Sequence, residues 1–234
     1  MFSSCIRSFS LFFAASWGAT AVASGPTWAL PHAEQVHQPS LEVNAGYAQF
    51  PQGGLALARV DLEAPVTQNL SGALIAHQWM ALGQLNQRFF IGSLRYRMDL
   101  TTQLAIAPFV QSVYFDGGGA LDRRLSARTG LAVQRSGKNW LWDLSVPVIG
   151  AKRFTTHPTD SSWSLLGTLD LLLATETGIT WAGWRNHRVR LGLAGTLMRL
   201  SYETTLKKQR LNAQVATMGS HSFALLGWQN SWGK

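Results

Sequence analysis

Cysteine is nearly absent from this chain: Cys5 is the only one in 234 residues. A disulfide framework and a cysteine-built metal site are therefore excluded. Charge is scarce too, at 14% of residues, and acids are the scarcer sign, 12 against 20 Lys and Arg. Long apolar runs are also missing. Beyond the N-terminus nothing approaches the roughly 18 consecutive apolar residues of a membrane-spanning helix, so a helical bundle in a membrane is excluded. Apolar residues themselves are plentiful, at 46% with 10 Trp, which excludes a disordered chain. The size is that of one domain.

The first residues, Met1 to Arg7, carry one positive charge and lead into a mostly apolar run from Phe9 to Ala19 and then Ala21-Val22-Ala23. A basic start, a short apolar centre and a small-x-small site predict a cleaved export signal over 1–23. Cys5 precedes the apolar centre and is not placed for lipidation. Residues 24–39, with Pro26, Pro31, Pro39, His32 and His37, read as an irregular lead-in, and 40–234 as the folded unit.

From residue 40 onward the hydrophobic period is two. Leu41, Val43, Ala45 and Tyr47 alternate with Glu42, Asn44 and Gly46; Leu94, Tyr96 and Met98 with Arg95, Arg97 and Asp99; Trp140, Trp142, Leu144 and Val146 with Leu141, Asp143 and Ser145. Such alternation marks two-faced strands. The pattern predicts twelve of them: 41–50, 55–64, 70–81, 88–100, 103–115, 123–135, 139–149, 163–176, 178–185, 188–202, 207–217 and 220–232. Ten is the fallback if 178–185 belongs to a loop. Two architectures fit: a soluble sandwich or barrel with its apolar face inside, and a membrane barrel with that face outside. Several strands exceed the five or six residues usual in globular sheets and reach the 9–11 needed to cross a bilayer at a tilt. Aromatic residues, namely Trp79, Tyr96, Trp140, Trp142, Trp163, Trp181, Trp228 and Trp232, gather towards strand ends as interfacial girdles do. Links alternate between tight, at Thr101-Thr102 and Ser136-Gly137-Lys138, and longer, at 82–87, 116–122 and 150–162. The expected fold is thus all-β, a transmembrane antiparallel up-and-down barrel.

The final strand, Phe223 to Trp232, ends on an aromatic two residues from the terminus. It resembles the C-terminal signal of Gram-negative outer-membrane β-barrel proteins, although Gly233-Lys234 follow where that signal usually stops. The resemblance is to the small, porin-like class and covers the whole of the chain after the export signal. It implies an outer-membrane location, contact with outer-membrane lipid and lipopolysaccharide, and recognition of the last strand by the barrel-assembly machinery. The size is similar to that of twelve-stranded channels for acidic sugars such as the oligogalacturonate porins, but no motif ties the chain to them.

In a barrel, function is written on the inward rows. The alternation puts Arg59, Arg95, Arg97, Arg128, Arg188 and Arg190 there, with Glu42, Asp61, Glu63, Asp99, Asp143, Asp170 and Glu176. Arg199 falls on the apolar row, the one charge to do so. Near balance leaves two readings open. One is an aqueous pore with an arginine track, for which Arg95 and Arg97 are the foremost candidates. The other is a network of ion pairs filling a narrow barrel. Rim charges Arg88, Arg123, Arg124, Lys152, Arg153 and Arg185 suit phosphorylated lipopolysaccharide. An exported barrel does not meet nucleic acid, so the basic balance does not indicate it. His221-Ser222 is the one suggestive nucleophile–base pair, yet neighbouring strand residues point to opposite faces. No cofactor or metal-ligand spacing is present. The expected function is a narrow passive channel for small solutes, anionic ones included, or a structural envelope protein. A barrel-type acyl hydrolase and a secreted soluble β-barrel with a small ligand are the alternatives.

Overall fold

The computed structural model describes residues 32–50, 53–80, 86–116, 123–154, 163–184, 186–206, 209–218 and 221–232. The predicted export signal lies outside them, as do the side chains of Trp79 and His221. Twelve long strands follow one another: β1 Ser40–Phe50, β2 Gly53–Pro65, β3 Leu70–Met80, β4 Asn86–Tyr96, β5 Leu104–Asp116, β6 Arg123–Ser136, β7 Trp140–Phe154, β8 Glu176–Trp184, β9 His187–Ala194, β10 Leu197–Leu206, β11 Gln209–Met218 and β12 His221–Ser231. Each pairs antiparallel with its neighbours in sequence, and β12 returns to β1 with Ser231 opposite Ser40 and Ser222 opposite Gln49. The sheet therefore closes on itself and has no edge, which satisfies the backbone all round the ring.

The alternation decides which face is which. Val43, Val60, Leu74, Val110, Leu200, Val215 and Leu226 point outward and stay exposed, while Ser40, Asn44, Arg59, Ser71, Arg95, Gln111 and Arg128 point inward and are buried. An apolar outside around a polar inside is the inverse of a soluble barrel and is the pattern of a membrane one. At the end of the barrel that holds β1's start and β12's finish, Tyr96, Trp140, Trp181, Tyr202, Trp228 and Trp232 project outward as an aromatic girdle. Trp142 also faces outward, one inside–outside repeat further from the rim than Trp140, opposite Ile179.

Two expectations need correction, and they cancel in the strand count. The predicted strand 163–176 is not a strand. Only Ser164–Leu165 pair, with Lys152 and Ala151, and Thr168–Leu173 form a helical turn, α1. Leu165, Leu169 and Leu172 stand at helical spacing, and leucine is a strong helix former, so the Leu169-Leu171-Leu173 alternation was misleading. Asp170 closes the first turn by accepting from the Gly167 N–H at 3.3 Å. The predicted strand 188–202 is in fact two strands, β9 and β10, joined at Gly195-Thr196. Gly195 adopts φ 56°, and its N–H donates to the Thr175 carbonyl at 3.1 Å. A left-handed backbone there suits glycine and closes a two-residue turn. Link lengths also differ from the expected two-sided pattern. The far end carries the long 155–175 connection but also two-residue links at 51–52, 195–196 and 219–220.

β7 continues for nine residues beyond Ser145, its last pair with β8. Along that stretch its neighbour is the segment containing Ser164–Leu165 and α1. A bulge between Thr129 and Gly130 lets β7 shift register, so Val148 and Ile149 both face out.

Candidate lumen site

The inward rows divide the lumen into two halves of opposite character. Towards the terminal end lies a polar cavity of about 740 Å³. Its described lining includes Arg59 from β2, Arg95 from β4, Arg97 just past β4, Arg188 and Arg190 from β9, Arg199 from β10 and Arg210 from β11. Carboxylates facing it are Glu34, Glu42, Asp61, Glu63 and Glu203. In a ring of twelve, β4 and β10 are six strands apart, so two groups of arginines face one another across the cavity.

Most of these charges hold specific partners. Arg59 Nη2 meets Asp61 Oδ2 at 2.5 Å, two residues along the same inward row. Arg95 Nη2 reaches Glu63 Oε1 at 2.6 Å across β3, and its Nε donates to Ser71 Oγ at 2.9 Å. Arg190 grips both oxygens of Asp143 at 2.5 and 2.6 Å in a bidentate pair, and Asp143 itself is 1% exposed. Glu42 accepts from Asn44 Nδ2 at 2.9 Å and Asn212 Nδ2 at 2.7 Å. Gly227 sits between those two asparagines, where a Cβ would fall 2.0 Å from Asn44 Oδ1. A larger residue would break the carboxamide–carboxylate cluster.

The lead-in residues also belong to this site. His32 Nδ1 lies 3.1 Å from Asp143 Oδ1, and its Nε2 lies 4.0 Å from Glu176 Oε2. Ala33 is fully buried against Ala107, Phe109 and Ala132. Its carbonyl accepts from Arg97 Nη1, and Arg97 also donates to Gln134 Oε1 at 2.8 Å. Glu34 faces Arg188 at 3.8 Å. Residues 32–39 thus run inside the lumen.

Towards the far end the inward rows of β1, β2 and β9 to β12 turn apolar. Ala48, Leu55, Leu57, Phe89, Ala194, Leu197, Ala216, Phe223 and Leu225 form one cluster, none more than 8% exposed, with Phe115 packed against it. A side chain lining a water-filled pore stays accessible, so this layer is dry. It draws on β1, β2, β4 and β9 to β12, and the Phe89 ring packs tilted at 4.8 Å against Phe115 of β5. Arg124 lies 6.0 Å over the Phe115 ring.

Of the residues singled out from sequence, Arg59, Asp61, Glu63, Arg95, Arg97, Arg188 and Arg190 lie round the cavity, with Asp143 buried behind Arg190. Arg128 faces inward but sits in the wall packing, donating to Gln111 Oε1 at 2.5 Å. Asp99 is at the terminal rim, 56% exposed, paired with Arg97 at 2.6 Å. Asp170 is not on an inward strand row at all. It lies on α1, 3.6 Å from Lys152 Nζ. Trp163 precedes the short Ser164–Leu165 pairing and is exposed. The placement of Arg199 on the apolar row is overturned by the Gly195 turn. Reversal at Gly195-Thr196 resets the parity, so even residues face inward in β9 and odd ones in β10. Glu203 and Ser201 share that row. Sequence reasoning missed Arg199, Glu203, Arg210 and the whole of 32–38. Parity counted from Gly195 would have found the first two. Among the described residues no cluster of His, Cys, Asp and Glu could hold a metal ion.

No protein-family profile and no curated protein sequence matches the chain. Solved structures do. The KdgM porin superposes with a TM-score of 0.56 at 8% identity, over 82% of this chain and 99% of the porin. The NanC porin gives 0.55 at 8% identity, over 82% and 100%. Outer membrane phospholipase A from Escherichia coli gives 0.51 at 10% identity, over 91% and 96%. At such identities the likeness establishes the fold, a twelve-stranded porin-like outer-membrane barrel, and nothing about the solute or chemistry.

Proposed function

We propose that the protein is a small outer-membrane channel that passes small anionic solutes passively and is closed in the conformation described. The observation that carries this reading is the set of seven arginines round the polar cavity, in two groups that face each other across the lumen, with five carboxylates in the lining and Asp143 and Asp99 pairing Arg190 and Arg97. Such an arrangement attracts an anion from either wall and replaces part of its hydration with guanidinium donors. The KdgM porin has been solved in complex with oligogalacturonate, a polyanionic sugar, and this supports the same ligand class for a barrel of the same fold. Arginines already held by carboxylates keep any one anion from binding too tightly to leave, which conduction requires. The dry layer acts as a hydrophobic constriction that conducts when wetted.

A second reading, a structural barrel with no passage, is favoured by that same dry layer. The catalytic alternative draws support only from a shared fold, and Ser222 points outward on β12 opposite Gln49 and Thr217. On the channel reading, exposed Arg88 and Arg123 at the far rim meet lipopolysaccharide, and β12 is the strand that the assembly machinery engages.

Single-channel recording in planar bilayers with a salt gradient tests this. Openings with an anion-leaning reversal potential are expected, shifted towards cations in an Arg95→Ala/Arg210→Ala variant. An inserted barrel that stays silent at all voltages overturns the channel in favour of the structural reading.

A further inference from the structure

The lumen holds eight residues that belong to no strand. They leave the barrel wall at a fixed point, because the Trp232 N–H donates to the Pro39 carbonyl at 3.0 Å. From there Gln38, His37, Val36 and Gln35 run along the polar cavity, and the inner end lodges in a built site. Eight extended residues reach at most about 26 Å, enough to cross such a barrel once and no more.

That inner site has three parts, each matched to the residue it holds. The His32 ring lies between two carboxylates, 3.1 Å from Asp143 and 4.0 Å from Glu176, and both acids are 1% exposed. Ala33 fits a niche made by Ala107, Ala132 and the Phe109 ring, where it has no exposure. Its carbonyl oxygen faces the Arg97 guanidinium. Charge, shape and backbone are thus all recognised within two residues. By contrast, beyond the Trp232–Pro39 bond no residue of 32–38 belongs to a strand ladder. Contacts of this kind sit at the low end of a protein's range of local stability.

We propose that residues 32–39 are a tether that occupies the polar half of the lumen as an internal peptide ligand, with His32 in the Asp143–Glu176 pocket as its anchor. The docking stands on these contacts alone. Its consequence, that undocking widens the path for solutes, rests on the channel reading. The pocket is accordingly a site for an imidazole or similar basic side chain on an extended backbone with a small residue next to it, and the chain supplies that ligand itself.

Docking and conduction are read separately. In the full chain with Cys5→Ser, Ala33→Cys places a single thiol in the niche. A membrane-impermeant maleimide is expected to label it at least roughly tenfold more slowly than Lys138→Cys, an exposed turn position, and His32→Ala is expected to abolish that protection. Because a thiol at Ala33 could itself loosen the niche, a nitroxide on Val36→Cys gives a second reading, restricted in the parent and mobile with His32→Ala. Fast labelling together with a mobile nitroxide in the parent overturns the docking. Protection and restriction unchanged by His32→Ala overturn His32 as the anchor. In bilayers the His32→Ala barrel is expected to show larger or more frequent openings than the parent. Conducting barrels that do not differ overturn the occlusion. Silence in both, with the tether shown released by labelling, counts against the channel and leaves the docking standing.

Discussion

The two halves of the lumen are built from the same strands and yet obey different chemistry. On β2, Leu55 and Leu57 belong to the dry layer while Arg59, Asp61 and Glu63 face the cavity. On β12, Phe223 and Leu225 are dry, and Gln229 and Ser231 are wet. β11 changes from Asn212 and Gln214 to Ala216. On these strands the change occurs within one or two inward positions, whereas β5 and β6 keep Gln111, Ser126 and Arg128 inward towards the far end, so the dry layer belongs to one side of the wall. A narrow barrel cannot leave inward groups bare. It fills part of the far end with hydrocarbon, where packing alone suffices, and the terminal half with ions that must be matched. On the channel reading, closure and selectivity fall at different depths of one tube.

The largest expected effect comes from breaking the dry half. Phe89→Ala removes a ring packed against Phe115 and His77 and costs about 3–5 kcal/mol, read as a lower urea midpoint for the barrel in lipid vesicles. Hydration of the resulting gap raises open probability in bilayers, and a dry, silent variant would show that the layer is more than a gate.

Next is the polar half. Asp143→Asn keeps the shape but removes the charge that holds both Arg190 and His32, at an expected cost of about 2 kcal/mol. Unlike the Phe89 change, it should also shift ion selectivity towards anions, measured as a reversal potential.

Gly195→Ala probes the turn that closes β9 and β10 beyond the dry half. A Cβ there would fall 2.5 Å from the Leu173 carbonyl oxygen at a left-handed φ, so a loss of about 1–2 kcal/mol is expected. Midpoint shifts in the same urea assay check it, with conductance unaltered.

The smallest effect belongs to Asp99→Asn. Its pair with Arg97 is at the rim and more than half exposed on the acid's side, so stability should change by less than about 1 kcal/mol and selectivity not at all. A large shift at Asp99 would mean that the rim, rather than the cavity, sets selectivity.

Much of this arrangement is legible in the sequence. The inward and outward rows of β1, β2, β4, β6 and β7 follow from alternation, because side chains of successive strand residues must point oppositely. Arg59, Asp61, Glu63, Arg95 and Asp143 were placed on the inward rows by that rule alone. The rule failed where the chain departs from a plain strand. In 163–176, leucines at mixed spacing fit either period, and α1 won because its end of the wall has no β8 residues to pair with. In 188–202, one glycine turn reversed the chain and moved Arg199 from outside to inside.

What the sequence determined alone is therefore the barrel and its two-faced strands, since burial of an apolar face in lipid needs only local periodicity. Which charges pair, where the lumen dries, and that His32 lies against Asp143, more than a hundred residues along the chain, were decided by closure of the ring. Pairing across β2 to β4, or from the lead-in to β7 and β8, depends on register and shear, and neither is a property of any one segment.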